Sequence, residues 1–274
     1  MREAMGKEQT RGYNLDALQT LALRIAAEAA AIHRAGYGRA HLVDTKSSPT
    51  DMVSEVDREA ERMIVGAIKR ERPDDAILGE EGTAQSGTSG VRWIIDPLDG
   101  TTNYLYGYPA FGVAIGIEIA GRRALGVVHD SYHDWVYVGV VGRGATCNGE
   151  RISVSARDEL STALLATGFS PRPEVRARQA AGLARVLPKI RDVRRSGSPI
   201  LDLCAVAAGR VDGFYEIGLA PWDIAAGAAI AEAAGAAVAV LPVVTPPGPL
   251  LVVANPILMP ALLHLLREAG VLGA

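Results

Sequence analysis

The chain has 274 residues, 49% of them hydrophobic, and a formal net charge of −3. That content suits one large domain or two closely packed ones, and the absence of any Lys/Arg run argues against nucleic acid as a partner. Its two cysteines, Cys147 and Cys204, are isolated and make neither a disulfide framework nor a metal knuckle, which fits a reducing cytoplasm.

Residues 1–12 are polar, lack the apolar centre of a signal peptide and read as a frayed tail. Leu15, Leu18, Ala22, Ile25, Ala29 and Ile32 then recur at steps of three and four, which predicts a helix capped by Asn14 and ended by Gly36. A second helix is expected from Ser54 to Arg70, with Val56, Ala60, Met63, Ile64, Ala67 and Ile68 inward and Pro73 as its stop. Short apolar segments follow at "DAILGEEG", "VRWIID", "FGVAIGIEIA", "ALGVVHD" and "WVYVGVVG", separated by glycine turns. Such closely spaced strands imply a mostly antiparallel sheet. The second half alternates. "STALLATGF" reads as a strand, "PEVRARQAAGLARVL" and "SPILDLCAVAAGR" as helices, and "DGFYEIG" as a strand. "PWDIAAGAAIAEAAGA" is a further helix, and "LLVVAN" a strand before a last helix from Pro256. Prolines break the apolar C-terminal run, so it reads as strands and turns rather than a membrane span. The expected organisation is two α+β halves, 13–157 and 158–274.

The stretch "WIIDPLDGTTNY" carries the chemistry. An apolar strand, Trp93 to Ile95, suits a central position covered on both faces. It ends in Asp96, and Asp99 follows closely enough for both carboxylates to converge. Gly100 permits close backbone approach, and Thr101, Thr102 and Asn103 begin a helix whose first N–H groups lack intrahelical partners. Carboxylates for a hard cation beside amides for an anion suit a metal-dependent phosphatase. Further acidic clusters occur in "KSSPTDMVSEVD" (Asp51, Asp57), "LGEEG" (Glu80, Glu81) and "PWDIAAG" (Asp223). Each alone reads as a cap or surface charge. "HDSYHD", His129 to Asp134, has metal-like spacing but falls between two strands and reads as a turn.

Taken together, "KSSPTDMVSEVD", "ILGEEG", "WIIDPLDGTTNY", "GATCNGERISVS", "RRSGSPILDLCAVAAGRVDGFYE" and "APWDIAAG" resemble the inositol monophosphatase family of Mg²⁺-dependent, lithium-sensitive phosphatases. The resemblance spans the chain from Leu15 to its last helix. It implies an α+β fold, an α/β/α/β/α layered sandwich with two mixed or antiparallel sheets, and a homodimer. It also implies two to three Mg²⁺ per site. Glu80, Asp96 and the Leu98 carbonyl match the ligands of the first metal, and Asp96, Asp99 and Asp223 those of the second. Glu80 faces a third through water, and Lys46 and Asp51 lie in the matching mobile loop. Gly100 and Thr101 match the phosphate-holding amides. Thr101 and Asp57 match the pair that orients and deprotonates the attacking water, so no phosphoenzyme is expected.

For the alcohol half, Glu216 matches a glutamate that accepts from an inositol hydroxyl, Asp99 accepts another, and Gly197 and Ser198 bring backbone groups to the ring. Carboxylates suit vicinal hydroxyls because each accepts several hydrogen bonds. Pro199 and Tyr106 depart from the family pattern, and Leu241 to Pro249 reads as a trimmed hairpin. Inositol-1-phosphate is therefore the expected substrate. Fructose-1,6-bisphosphatase, histidinol-phosphate phosphatase and nucleotide 3′-phosphatase activities share the motifs, and a non-catalytic regulatory or RNA-associated role is the alternative of a different class.

Overall fold

Asn14 and Ser54 set the starts of the two helices that open the fold. The computed structural model describes residues 13–39, 42–45, 52–243 and 248–272. In it α1 runs Leu15–Gly36 and α2 runs Glu55–Glu71. The Asn14 side chain accepts from the Ala17 N–H at 3.0 Å. At Ser54 the cap is reciprocal: its hydroxyl accepts from the Asp57 N–H, and Asp57 Oδ2 accepts from the Ser54 N–H at 2.9 Å. The apolar stripes of both helices face inward as expected, but polar residues share them. His33 on α1 and Asp57 and Glu61 on α2 are buried among the alanines and isoleucines. A short antiparallel pair, β1 (Leu42–Thr45) and β2 (Met52–Ser54), was not anticipated. Lys46, Asp51 and the expected tail over 1–12 lie outside the described residues.

The first sheet holds β3 (Ala76–Gly79), β4 (Ala84–Gln85), β5 (Val91–Asp99), β6 (Gly112–Ile119), β7 (Arg122–Asp130), β8 (Trp135–Val140), β9 (Gly144–Cys147) and β10 (Glu150–Ile152). Their order is β10-β9-β8-β7-β6-β5-β3-β4, antiparallel except for β3 beside β5. The short helix α3 (Thr101–Leu105) interrupts the path from β5 to β6. The second sheet holds β11 (Leu164–Thr167), β12 (Asp192–Arg194), β13 (Gly213–Ile217), β14 (Ala237–Leu241) and β15 (Leu250–Ala254), in the order β12-β11-β13-β15-β14. Here β11 runs parallel to β12 and β13, while β15 is antiparallel to both its neighbours. Four helices accompany it: α4 (Pro173–Val186), α5 (Pro199–Ala207), α6 (Pro221–Ala233) and α7 (Met259–Glu268). The last begins later than Pro256 because Asn255 Oδ1 accepts from the Ile257 and Leu258 N–H groups, each at 2.9 Å, and a turn forms first.

Strand alternation assigns the layers. On β6, Val113, Ile115, Ile117 and Ile119 pack against α1 and α2, while Ala114 faces the middle of the molecule. On β15, Leu251 and Val253 face that same middle, and Leu250, Val252 and Ala254 face α7. Helices α5 and α6 fill the space between the sheets, which explains why α6 is apolar nearly all round. The result is the α/β/α/β/α sandwich.

A row of glycines brings α6 close to the first sheet. Gly116, Gly126 and Gly139 are cross-strand partners on β6, β7 and β8. A Cβ on Gly126 would lie 2.2 Å from the Ala226 carbonyl oxygen, and one on Gly139 2.4 Å from the Ile230 Cα. The helix backbone rests directly on the strands, with Asp223 in its first turn.

Candidate active site

Strand β5 carries the expected apolar run but does not stop at Asp96; it continues to Asp99. Asp96 pairs with Ala114 and Asp99 with Gly112, so Pro97 and Leu98 on β5 stand against Val113 alone on β6. In a regular strand a step of three would put the two carboxylates on opposite faces. The extra residue of this bulge turns them to the same side. Pro97 has no N–H to lose from the ladder, and the Leu98 N–H goes to Asp96 Oδ1 at 3.1 Å. Gly100 then adopts φ +85°, a left-handed conformation that turns the chain into α3.

Asp96, Asp99 and Asp223 each offer a carboxylate oxygen, all within 4.8 Å of one another. Asp96 and Asp99 are buried. Burial raises both pKa values; repulsion from Glu80, Asp99 and Asp223 adds to Asp96, and Asp99 reaches about 7. Buried acids that repel one another call for a shared counter-charge, and this hard-oxygen donor set fits Mg²⁺. Glu80 follows β3 and lines the same cleft, outside that tightest triad, but its charge acts on Asp57, Asp96 and Asp99.

Asp57 and Thr101 meet although far apart in sequence. Thr101 Oγ1 lies 2.8 Å from Asp57 Oδ1 and 3.0 Å from the Leu98 carbonyl oxygen. Burial raises the Asp57 pKa, and hydrogen bonds from Ser54 and Thr101 partly offset this. The other expected metal-site oxygen, that of Leu98, belongs to a fully buried residue.

A cavity of about 550 Å³ opens over this turn. Glu80, Asp99, Gly100, Thr101, Gly197 and Glu216 all line it. Glu216 is buried, with its pKa pushed well above the ordinary range by desolvation and then by Asp223, and its Oε2 has no hydrogen-bond partner. Ser198 does not line the cavity. It is fully buried, and its hydroxyl lies 2.5 Å from Asp99 Oδ2 while capping α5. Pro199 lines the cavity and is the first residue of α5, a position that suits its fixed φ. Tyr106 is 77% exposed beyond α3 and does not line the cavity.

Sequence reading missed four side chains here. Glu61 on α2 accepts from the Glu81 N–H at 2.7 Å, the Thr83 N–H at 3.1 Å and the Thr83 hydroxyl at 2.6 Å, which braces the turn holding Glu80. Its signal was its place one helical turn after Asp57. Arg176 and Arg195 also line the cavity, Arg176 donating to the Ser170 and Pro171 carbonyls at 3.0 and 3.1 Å. "RRSGSP" held Arg195 in view, whereas Arg176 had no local signal. His33 is the fourth; it touches the bulge from behind. The segment "HDSYHD" is the expected turn after β7, with its side chains paired internally: His129 with Asp134 at 2.8 Å and His133 with Asp130 at 2.9 Å.

A family model described as "Inositol monophosphatase family" matches residues 14–269. An inositol-1-monophosphatase SuhB of Mycobacterium tuberculosis is 45% identical over 241 residues, covering 81% of this chain and 83% of the relative. A Nus factor SuhB of Pasteurella multocida is 39% identical over 224 residues, covering 81% of this chain and 84% of the relative. Among solved structures, the extragenic suppressor protein suhB of Bartonella henselae aligns with a TM-score of 0.84 at 33% identity, covering 92% of this chain and 99% of that one.

Proposed function

The chain belongs to the inositol monophosphatase family, and from that premise we propose that it is a Mg²⁺-dependent phosphomonoester hydrolase acting on inositol-1-phosphate. One observation carries the reading: Asp96, Asp99 and Asp223 converge within 4.8 Å beside the Gly100–Thr101 turn. Asp96, Asp99, Asp223, Glu80 and the Leu98 carbonyl would hold the metal ions. When bound, Mg²⁺ supplies a water of lowered pKa and neutralises the charge that grows on the phosphoryl group.

The chain's own residues handle the proton. Thr101 has one hydroxyl proton and two acceptors within reach, Asp57 Oδ1 and the Leu98 carbonyl. With that proton directed to Asp57, the Thr101 oxygen accepts from the attacking water and aims it. Asp57, held by Ser54 and raised in pKa by burial, is a stronger base than an exposed carboxylate. As the water oxygen bonds to phosphorus, its proton passes through Thr101 to Asp57; the phosphorus–alkoxide bond breaks, the departing alkoxide takes a proton from a second water on the Asp223 side, and the proton on Asp57 returns to solvent to close the cycle. Glu216 accepts from a hydroxyl of the polyol with the oxygen that has no protein partner.

Arg176 and Arg195 favour a second reading within the same chemistry. Two guanidinium groups lining the cavity suit a substrate with a second anionic group, which among the alternatives points to fructose-1,6-bisphosphate. The Pasteurella relative is named a Nus factor, a description of that protein and not of this chain.

The test is a panel of inositol-1-phosphate, fructose-1,6-bisphosphate, histidinol phosphate and a nucleotide 3′-phosphate at matched concentration with Mg²⁺ titrated. Inositol-1-phosphate should be hydrolysed fastest, with one label entering phosphate from ¹⁸O-water. A faster bisphosphate reaction transfers the assignment to the second reading. A trapped phosphoryl-protein overturns direct attack by water.

A further inference from the structure

Helix α1 contributes no residue to the cavity, yet one of its side chains reaches the bulge that brings Asp96 and Asp99 together. His33 is fully buried. Its Nε2 lies 2.8 Å from the Pro97 carbonyl oxygen, and its Nδ1 lies 2.8 Å from Ser131 Oγ. A carbonyl only accepts, so Nε2 carries the proton. In the neutral ring Nδ1 then accepts, and the Ser131 hydroxyl donates to it. Desolvation lowers the His33 pKa to about 3, which keeps the ring neutral and this arrangement single.

The Pro97 carbonyl needs that partner. The last pair between β5 and β3 is Ile95 with Gly79, and on the β6 side the bulge leaves Pro97 and Leu98 sharing one opposite residue. His33 also holds the far side of the turn, because the Tyr104 hydroxyl donates to the His33 carbonyl at 2.6 Å. Tyr104 belongs to α3, which follows directly after Gly100. One residue of α1 therefore grips the chain before and after the segment that carries Asp99, Gly100 and Thr101. The Tyr104 and Phe111 rings pack edge-on to the imidazole at 6.3 and 6.4 Å, which fixes its plane.

We propose that His33 is a positioning residue for the carboxylate turn: its Nε2–H holds the Pro97 carbonyl and so sets the spacing of Asp96 and Asp99 for a divalent cation. This rests on the reading that the turn binds Mg²⁺. The side chain touches neither substrate nor ion; it acts through the backbone between two carboxylates. Groups that orient metal ligands at one remove typically change affinity or activity by about 10–100-fold when removed.

The full chain is tested in four forms: wild type, His33→Gln, His33→Leu and Ser131→Ala. Mn²⁺ binding without substrate is read by calorimetry, Mg²⁺ half-saturation by phosphate release, and the imidazole tautomer by ¹⁵N NMR. Expected results are an Nε2–H tautomer in the wild type, Mn²⁺ affinity weakened at least about tenfold in His33→Leu, and substantial recovery in His33→Gln, whose amide can still donate to Pro97. Ser131→Ala should weaken binding a few-fold, and it carries the test if His33→Leu does not fold. Wild-type affinity in His33→Leu or Ser131→Ala, equal losses in the Gln and Leu variants, or an Nδ1–H tautomer overturns the proposal. A wild-type chain that binds neither Mn²⁺ nor Mg²⁺ overturns the metal reading itself, so the two failures are distinguishable.

Discussion

Asp99 Oδ2 and Ser198 Oγ stand 2.5 Å apart, which joins the end of β5 in the first sheet to the start of α5 in the middle layer. The Ile200 N–H donates to the same carboxylate oxygen at 3.0 Å. That oxygen of Asp99 ties the first sheet to the middle layer, and the Gly100 N–H adds a further hydrogen bond to the same carboxylate. These hydrogen bonds favour the charged carboxylate and work against its desolvation.

Ser198→Ala should therefore do two things. It removes the α5 cap and a hydrogen bond to a carboxylate, costing about 1–2 kcal/mol in denaturant unfolding. It also lets the Asp99 pKa rise further, so protons compete better with metal and Mg²⁺ half-saturation at neutral pH increases. Ser198→Thr, which keeps the hydroxyl, should retain much of both. A stability loss with unchanged Mg²⁺ half-saturation would show that the contact only caps the helix.

The acids also predict how stability depends on pH. Asp99 and Asp202 have folded pKa values near 7 against an ordinary 3.8, both raised first by burial. Between those values the folded chain holds protons that the unfolded chain releases, so stability falls as pH rises from about 4 to about 7. Asp75, held below its ordinary value by Arg72, Ser89 and Trp93 despite its burial, acts oppositely and only at lower pH. In chelator, the melting temperature should drop across the window. Added Mg²⁺ should recover the loss at the upper end, and Asp99→Asn should flatten the slope. A melting temperature that climbs steadily from pH 4 to 7 in chelator would contradict the raised values.

What was legible in the sequence and what was not divide along a physical line. Asp96, Asp99, Gly100 and Thr101 sit in one string, so they could be read together as one candidate site; even so, the turning of Asp96 and Asp99 to one side depends on a bulge that strand periodicity does not announce. The helix stripes were found by their apolar spacing, and the same rule hid His33 and Glu61, polar residues on core-facing positions whose partners lie on other elements. Asp57 was placed only through the family resemblance. Arg176 reaches the cavity because α4 follows β11 and a short loop, a matter of tertiary packing with no pattern of its own.

Glu61→Gln tests one of those hidden contacts. Three donors converge on the Glu61 carboxylate, from Glu81 and Thr83. An amide offers one acceptor oxygen and turns an NH₂ toward the remaining donors. The expected cost is about 1–3 kcal/mol, with Mg²⁺ half-saturation rising as the Glu80 turn loosens. Glu61→Asp, which keeps the charge but shortens the reach, should fall between. Unchanged metal dependence in a measurably destabilised Gln variant would separate Glu61 from the site.

Gly126→Ala tests whether close seating of α6 positions Asp223. The new Cβ would meet the Ala226 carbonyl oxygen at 2.2 Å, a backbone atom that cannot rotate away. Either α6 lifts from the sheet or β7 bends, and overpacking of this kind costs about 1–3 kcal/mol, occasionally more. Lifting α6 carries Asp223 away from Asp96 and Asp99, so metal affinity and turnover should fall together. Gly121→Ala is the matched control. Gly121 sits at the tip between β6 and β7 with φ +73° and nothing within 4 Å, so a Cβ there brings backbone strain of about 1–2 kcal/mol without moving a helix. The control should lose stability and keep its Mn²⁺ affinity, while Gly126→Ala loses both. Equal metal affinity in the two variants would mean that Asp223 is held by its own turn, where its Oδ2 accepts from the Ala220 N–H at 2.7 Å, rather than by the seat of the helix.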